Sequence, residues 1–128
     1  MSLFDVFGIA GSSMSTQSIR LNLTASNLAN ADTVAGTPEE VYKARYPVFE
    51  STLKGVTVAN VVESQDAPLM RYEPGHPLAN EEGNVFSPNI SVVNEMVNMI
   101  SASRNYQGNV EVMDATKQML MSALRLGQ

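Results

Sequence analysis

The sequence predicts a mainly α fold with a small β-rich insert. Long N- and C-terminal helices pair as an antiparallel coiled coil, with short strands and turns between them. Three observations carry this expectation. Residues 1–31 hold only two charges, Asp5 and Arg20, and residues 89–128 hold six that cancel, so the whole net charge of −5 falls in residues 32–88. Both ends are apolar at helical spacing and rich in Ser, Thr, Asn, Gln and Met. The middle is acidic and rich in Pro and Gly. The expected organisation is an N-terminal helix in 1–32, a small β- and turn-rich insert in 33–88 and a long C-terminal helix in 89–128.

The first helix is read over residues 3–30. Phe7, Ala10, Met14, Gln17, Leu21, Thr24 and Leu28 recur at alternating three- and four-residue steps, which puts them on one stripe. Gly8 and Gly11 weaken its start by about 1 kcal/mol each relative to Ala, so the helix relies on tertiary packing. Asn30-Ala31-Asp32-Thr33 marks its end, with Gly36 and Pro38 beyond as breakers. Its polar side (Ser12, Ser15, Ser18, Asn22, Thr24, Ser26, Asn27, Asn30) is free of charge. Solvated helix faces usually carry Lys and Glu, so this side suits packing among other helices, or the lining of a channel that passes peptide without binding it.

In the insert, Val41 to Phe49 alternates as a strand would, and Pro47 demotes it to an edge or a bulge. Lys54-Gly55 marks a turn, and Val56, Val58, Val61 and Val62 suggest a second strand. Pro68, Pro74, Gly75, Pro77, Gly83 and Pro88 then punctuate short extended pieces, with a hairpin expected at Glu82-Gly83-Asn84.

The second helix is read over residues 90–126. Val92, Met96, Met99, Ser103, Tyr106, Val110, Met113, Lys117, Leu120 and Leu124 keep a 4-3 spacing, and eight of the ten are apolar, as in a heptad seam. A second stripe runs through Val93, Val97 and Ile100. A helix of ~36 residues is roughly 54 Å long. Asn89 or Ser91 is positioned to cap its start, and Gly127 ends it. One helix pair buries one face of each partner. The remaining apolar surface therefore asks for another chain. The candidate assembly residues are Phe7, Ala10, Met14, Leu21, Leu28, Val92, Met96, Met99, Tyr106, Val110, Met113, Leu120 and Leu124.

Candidate chemistry is sparse. His76 is the single histidine, set in the turn Pro74-Gly75-His76-Pro77, and there is no cysteine, so no metal site or cofactor is expected. Glu39-Glu40 and Glu81-Glu82 are adjacent pairs whose side chains tend to point apart, which suits solvated loops better than acid–base work. No G-x-S-x-G, G-x-G-x-x-G or phosphate-binding loop is present. The acidic balance and the lack of a Lys/Arg cluster argue against nucleic acid. No enzyme activity and no small-molecule substrate are expected. The N-terminus lacks the basic start of a secretory signal, and Asp5 interrupts its apolar stretch, so no cleaved signal peptide is expected.

One stretch is more specific. Leu21-Asn22-Leu23-Thr24-Ala25-Ser26-Asn27-Leu28-Ala29-Asn30-Ala31-Asp32-Thr33 resembles the N-terminal signature of the bacterial flagellar rod, hook and hook-filament junction family. Phe7-Gly8-Ile9-Ala10-Gly11-Ser12, with Gln17 and Arg20, is similar to the proximal-rod members. The second half agrees in order and spacing: Tyr72 to Ala79, Gly83-Asn84-Val85, Pro88-Asn89, Glu95-Met96-Val97-Asn98-Met99, and Ala102-Ser103-Arg104-Asn105-Tyr106-Gln107. The resemblance covers nearly the whole chain and is thinnest over residues 34–70. The matching positions are Ala25, Ser26, Asn27, Leu28, Ala29, Asn30, Pro88, Asn89, Glu95, Met96, Arg104, Tyr106 and Gln107.

The resemblance implies a structural subunit of the proximal rod of the flagellar basal body. Such chains polymerise through their terminal helices into a hollow periplasmic drive shaft, which transmits torque and encloses the export channel. The terminal helices form the inner layer and the insert an outer domain. Implied partners are other rod proteins, further copies of the chain, the membrane-ring and rod-adaptor proteins, and the type III export apparatus, which exports such chains from the cytoplasm without a cleaved signal. Another axial protein of the family, or a helical adaptor that binds partner helices, remains as an alternative.

Overall fold

A computed structural model describes residues 1–128. Helix α1 runs Leu3–Ala29 and helix α2 runs Val92–Leu126. Two antiparallel hairpins lie between them: β1 (Arg45–Thr52) with β2 (Gly55–Glu63), and β3 (Leu69–Tyr72) with β4 (Asn84–Ser87). A one-turn 3-10 segment, Pro38–Glu40, precedes β1.

The helix ends follow from local chemistry. Ser2 caps α1 through its side chain to the Asp5 N–H (3.1 Å), and the Asp5 carboxylate accepts from the Ser2 N–H (2.8 Å). This reciprocal pair satisfies two of the free N–H groups at the helix start. Asn30 closes α1, its side chain donating to the Ser26 carbonyl at 2.9 Å. Ser91 caps α2 by accepting from the Asn94 N–H at 3.3 Å, and Gly127 stands at the C-cap. With 35 residues, α2 is about 52 Å long at ~1.5 Å per residue.

The first strand starts four residues later than its alternation suggests. Val41 and Ala44 are buried in the approach to it, and pairing begins at Arg45 opposite Glu63. Pro47 stands in β1 opposite Val61. A two-stranded ribbon has free edges, which is where a strand proline is tolerated. The register slips between Val48 and Phe49, leaving Ala59 as the extra residue of a bulge. Leu53-Lys54 forms the hairpin turn, and Gly55 has a positive φ of 138°.

The second hairpin differs from expectation. Glu82-Gly83-Asn84 is not a tight hairpin turn but the last bend of a loop over 73–83 that joins β3 to β4. Asn80 organises that bend. Its side-chain oxygen accepts from the N–H groups of Glu82 (3.0 Å) and Asn84 (2.9 Å), and Gly83 takes a φ of 80°. After α1, Ala35 adds to β4 through two backbone bonds with Phe86, at 2.8 and 2.9 Å.

The two helices pack against each other, and the first hairpin lies along α1. Contacts climb one helix as they descend the other: Asn27 meets Glu95, Ser13 meets Asn109, and Gly11 faces Met113. Continuing that register sets Leu3 opposite Met119, so the last two turns of α2 lie beyond the start of α1. The core is small. Its fully buried apolar residues are Ala10, Ala31, Val41, Ala44, Val85 and Ala102, none larger than valine.

Candidate functional site

The face that α2 turns to α1 is centred one position away from the stripe read off the sequence. Glu95, Ala102 and Thr116 are fully buried, and Asn109, in the same seven-residue series, donates to Ser13 Oγ at 2.9 Å. Met99, Tyr106, Met113 and Leu120 flank this line and are half-buried. The observed seam thus shares those four residues with the expected one. It replaces Val92, Met96, Ser103, Val110, Lys117 and Leu124 at the centre with small or polar residues. Packing explains the change, because small side chains bring two backbones close and Gly11 opposite Met113 does the same. Two buried hydroxyls are satisfied inside their own helices: Thr116 donates to the Val112 carbonyl (2.7 Å) and Thr16 to that of Ser13 (2.8 Å).

The candidate assembly residues divide accordingly. Ala10 is buried, while Met14, Leu21, Leu28, Met99, Tyr106, Val110, Met113 and Leu120 are half-buried. Phe7, Val92, Met96 and Leu124 are exposed, as are Val93, Val97 and Ile100 of the second stripe. Of the charge-free side of α1, Thr24 and Asn27 are buried, whereas Ser15, Ser18 and Asn22 face outward.

Beneath this surface lies a polar clasp that joins α1, β1 and α2. Asn27 is fully buried and grips the backbone of Arg45 twice: its Oδ1 accepts from the Arg45 N–H (3.0 Å), and its Nδ2 donates to the Arg45 carbonyl (3.0 Å). The Nδ2 group also donates to Glu95 Oε2 at 3.2 Å, and Oδ1 accepts from Tyr42 Oη at 2.9 Å. Tyr46 Oη donates to the other oxygen of Glu95 at 2.9 Å, and Ser26 Oγ lies 3.1 Å from Tyr42 Oη. No Lys or Arg pairs with the Glu95 carboxylate, which is held by hydrogen bonds alone. Burial, followed by the hydrogen bond and charge of Glu95, pushes the Tyr46 phenol up to about 12. The family-like positions Asn27 and Glu95 therefore sit at the centre of the clasp. Pro88 is buried, and Ala25, Ala29, Asn89, Met96, Arg104 and Gln107 are exposed. Tyr42 and Tyr46 escaped the sequence reading, where only their place in an alternating strand was visible.

A second joint fixes the far end of the first hairpin. Ser12 Oγ donates to the Ile9 carbonyl (2.8 Å) and accepts from the Val56 N–H (3.2 Å). The hairpin turn comes so close that a Cβ on Gly55 would collide with the Ser12 side chain.

His76 lies in a turn, as expected, and its Nδ1 accepts from the Leu78 N–H at 3.0 Å. No three His, Cys, Asp or Glu side chains stand together as a metal-holding group. No helix is long and apolar enough to cross a membrane.

Comparison with known proteins matches this architecture at both ends. Residues 7–36 fit the family described as flagella basal body rod protein, and residues 81–126 fit the flagellar basal body rod FlgEFG protein C-terminal family. These matches define a structural subunit of a flagellar axial assembly, not an enzyme. The chain is 50% identical over 134 residues to the flagellar basal-body rod protein FlgC of Escherichia coli O6:H1, with 100% of both chains covered. It is 49% identical to that of Salmonella typhimurium and 35% identical to that of Buchnera aphidicola from Baizongia pistaciae, again with both chains covered in full. The chain belongs to the FlgC family of flagellar basal-body rod proteins. It is a structural rod subunit of the basal body and assembles with other rod components.

Proposed function

We propose that this subunit takes its place in the proximal part of the rod and polymerises through its terminal helices. In this reading the helices over 1–32 and 89–128 pair as an antiparallel coiled coil and form the inner layer of a hollow shaft. The insert over 33–88 forms the outer domain. The shaft crosses the periplasm, encloses the export channel and carries torque. Its subunits leave the cytoplasm through the type III apparatus without a cleaved signal, and they meet the membrane-ring and rod-adaptor proteins.

The observation that carries the reading is the large apolar surface left open on both helices, including Phe4 and Phe7 on α1 and Val93, Met96, Val97 and Ile100 on α2. Val93, Met96, Val97 and Ile100 fall within two turns on one face of α2, and an exposed apolar patch of this kind marks a surface that a partner covers. The charge distribution supports it, since near-neutral helices pack side by side without mutual repulsion and the acidic insert is left for the outside. Contacts between unlike faces of successive subunits generate an open helical assembly.

Deleting the chain from its host tests the reading. Loss of hooks and filaments while the membrane ring persists, restored by the intact chain, is the expected result. Normal flagella in a strain without a second copy would overturn it. Assembly of the rod up to the hook, with only later structures missing, would move the subunit out of the proximal rod.

A further inference from the structure

Each strand has one edge that its own hairpin leaves open, and the chain treats these edges differently. In an antiparallel pair, residues alternate between bonding across the ladder and turning both backbone groups outward. On β1 the outward groups of Arg45 are held by Asn27, and Pro47, the next outward residue, has no N–H to offer. On β2 the outward N–H groups of Val56 and Val61 are taken by Ser12 Oγ (3.2 Å) and Asn60 Oδ1 (2.8 Å), and the Glu63 carbonyl accepts from Gln65 (3.2 Å). On β4, Phe86 bonds Ala35 in both directions, and Asn84 turns its N–H (2.9 Å) and its carbonyl (3.0 Å) to Asn80.

The edge of β3 has no such cover. Met70 stands opposite Phe86 and Tyr72 opposite Asn84, whose groups face away from β3, and the Glu73 N–H donates across to Gly83 at 2.9 Å. The ladder therefore bonds through Leu69, Arg71 and Glu73. The N–H and carbonyl groups of Met70 and Tyr72 point outward, and no turn, loop or side chain meets them. All of β3 is exposed, with Leu69 at 52%, Met70 at 65% and Tyr72 at 70%. An apolar edge strand without Lys, Pro or a bulge is a template for another strand. Charge says which kind. Asp66 precedes the edge and Glu81 and Glu82 follow it, and none of them has an ion-pair partner. Arg71, the one base within β3, is already tied to Glu73 at 2.7 Å.

We propose that β3 is a docking edge that takes a basic, extended segment of a different chain as its third strand. Met70 and Tyr72 each supply one donor and one acceptor to the incoming backbone. Their side chains on one face, and Leu69 on the other, contact its alternate apolar residues. Pro68 and Pro74 bound the edge, so the added strand is short. Lys or Arg in that segment answers the unpaired acids around it. A second copy does not fit as the occupant. Its own β3 brings the same acids, and pairing two identical edges makes a closed two-fold dimer, not an open assembly. The inference concerns the insert and holds whichever part of the rod the subunit occupies.

Photo-crosslinking in assembled basal bodies tests it. The full-length chain carries p-azidophenylalanine in place of Tyr72, and the cross-linked peptide is sequenced by mass spectrometry. The expected product is a segment of another protein with Lys or Arg among alternating apolar residues. Adding Met70→Pro should abolish the product, and adding Met70→Ala should retain it. The Met70 N–H turns away from β4, so proline there removes no hairpin bond, and the free Met70→Pro chain should melt close to the parent. A product from a second copy or from an acidic segment, no product at all, or full cross-linking in a folded Met70→Pro chain would overturn the proposal. Should Met70→Pro not fold, hydrogen exchange on the parent carries the test. In the free chain the Met70 and Tyr72 amides should exchange faster than that of Arg71, and in basal bodies both should slow by about 100-fold. Unchanged exchange of these two amides on assembly would contradict strand addition.

Discussion

A single amide side chain organises the joint between the helices and the sheet. Asn27 meets a donor and an acceptor on the Arg45 backbone, so neither Asp nor Leu can replace it. Asn27→Asp sets a carboxylate against the Arg45 carbonyl and the Glu95 carboxylate, and the expected loss is on the order of 3 kcal/mol, measured by urea unfolding. Tyr46 makes the same joint sensitive to alkali. Its phenol titrates at about 12 in the folded chain against an ordinary value of 10.0. Between these values the unfolded chain gives up a proton that the folded chain keeps, so stability falls as pH rises through this window and is untouched below it. Spectrophotometric titration of tyrosinate, compared with Tyr46→Phe, isolates this group. In Glu95→Gln the value should drop only part of the way, because burial is the largest cause and persists. Gly55 is a steric counterpart: its φ of 138° and its closeness to Ser12 both exclude a side chain. Gly55→Ala should lower the thermal midpoint by several degrees and loosen the hairpin from α1.

Element boundaries were legible where local chemistry sets them. The low-charge periodic ends, a cap at Asn89 or Ser91 (Ser91 in the structure) and Gly127 as stop all act within one or two turns, and α1 and α2 fall within two residues of their expected limits. The first hairpin was legible from Lys54-Gly55 and its flanking valines. The helix face was not. A 4-3 spacing of large apolar residues marks every face a partner will cover, and this chain gives its smallest residues to its own helix pair. Periodicity cannot tell an internal seam from an external one. Nor can it find the clasp, which joins residues 27, 45 and 95 across the fold. Asn80 fixes its bend through a side chain, so the loop length of the second hairpin was hidden as well. Gly108 tests the division between inner and outer faces at the element scale. It is exposed on α2, and a Cβ there meets nothing within 4 Å. Gly108→Ala should therefore stabilise the free chain by about 1 kcal/mol, raising its thermal midpoint in circular dichroism. A variant that melts no higher would show that its backbone there is not helical in solution.

For the whole molecule, the chain holds a small core, one buried carboxylate and a broad apolar exterior. Its stability and its assembly therefore rest on different residues. Tyr106 is half-buried beside the line that α2 turns to α1, whereas Val97 is exposed by 59% on the opposite stripe. An aspartate at each position separates the two roles. Tyr106→Asp puts an unpaired charge into the internal seam, so the free chain should unfold at markedly lower urea. Val97→Asp leaves the internal seam alone, and its free chain should unfold within about 0.5 kcal/mol of the parent. In cells, both variants should fail to swarm, but for different reasons. The Tyr106 variant should be depleted by proteolysis, because small losses of stability change abundance severalfold. The Val97 variant should accumulate to the parent level and be absent from isolated basal bodies, since its charge lies where a neighbouring subunit must pack. Normal basal bodies carrying Val97→Asp would show that this stripe faces solvent in the rod, and would leave the other exposed apolar side chains, Phe4 and Phe7 on α1 and Leu124 and Leu126 on α2, as the surface that binds the next chain.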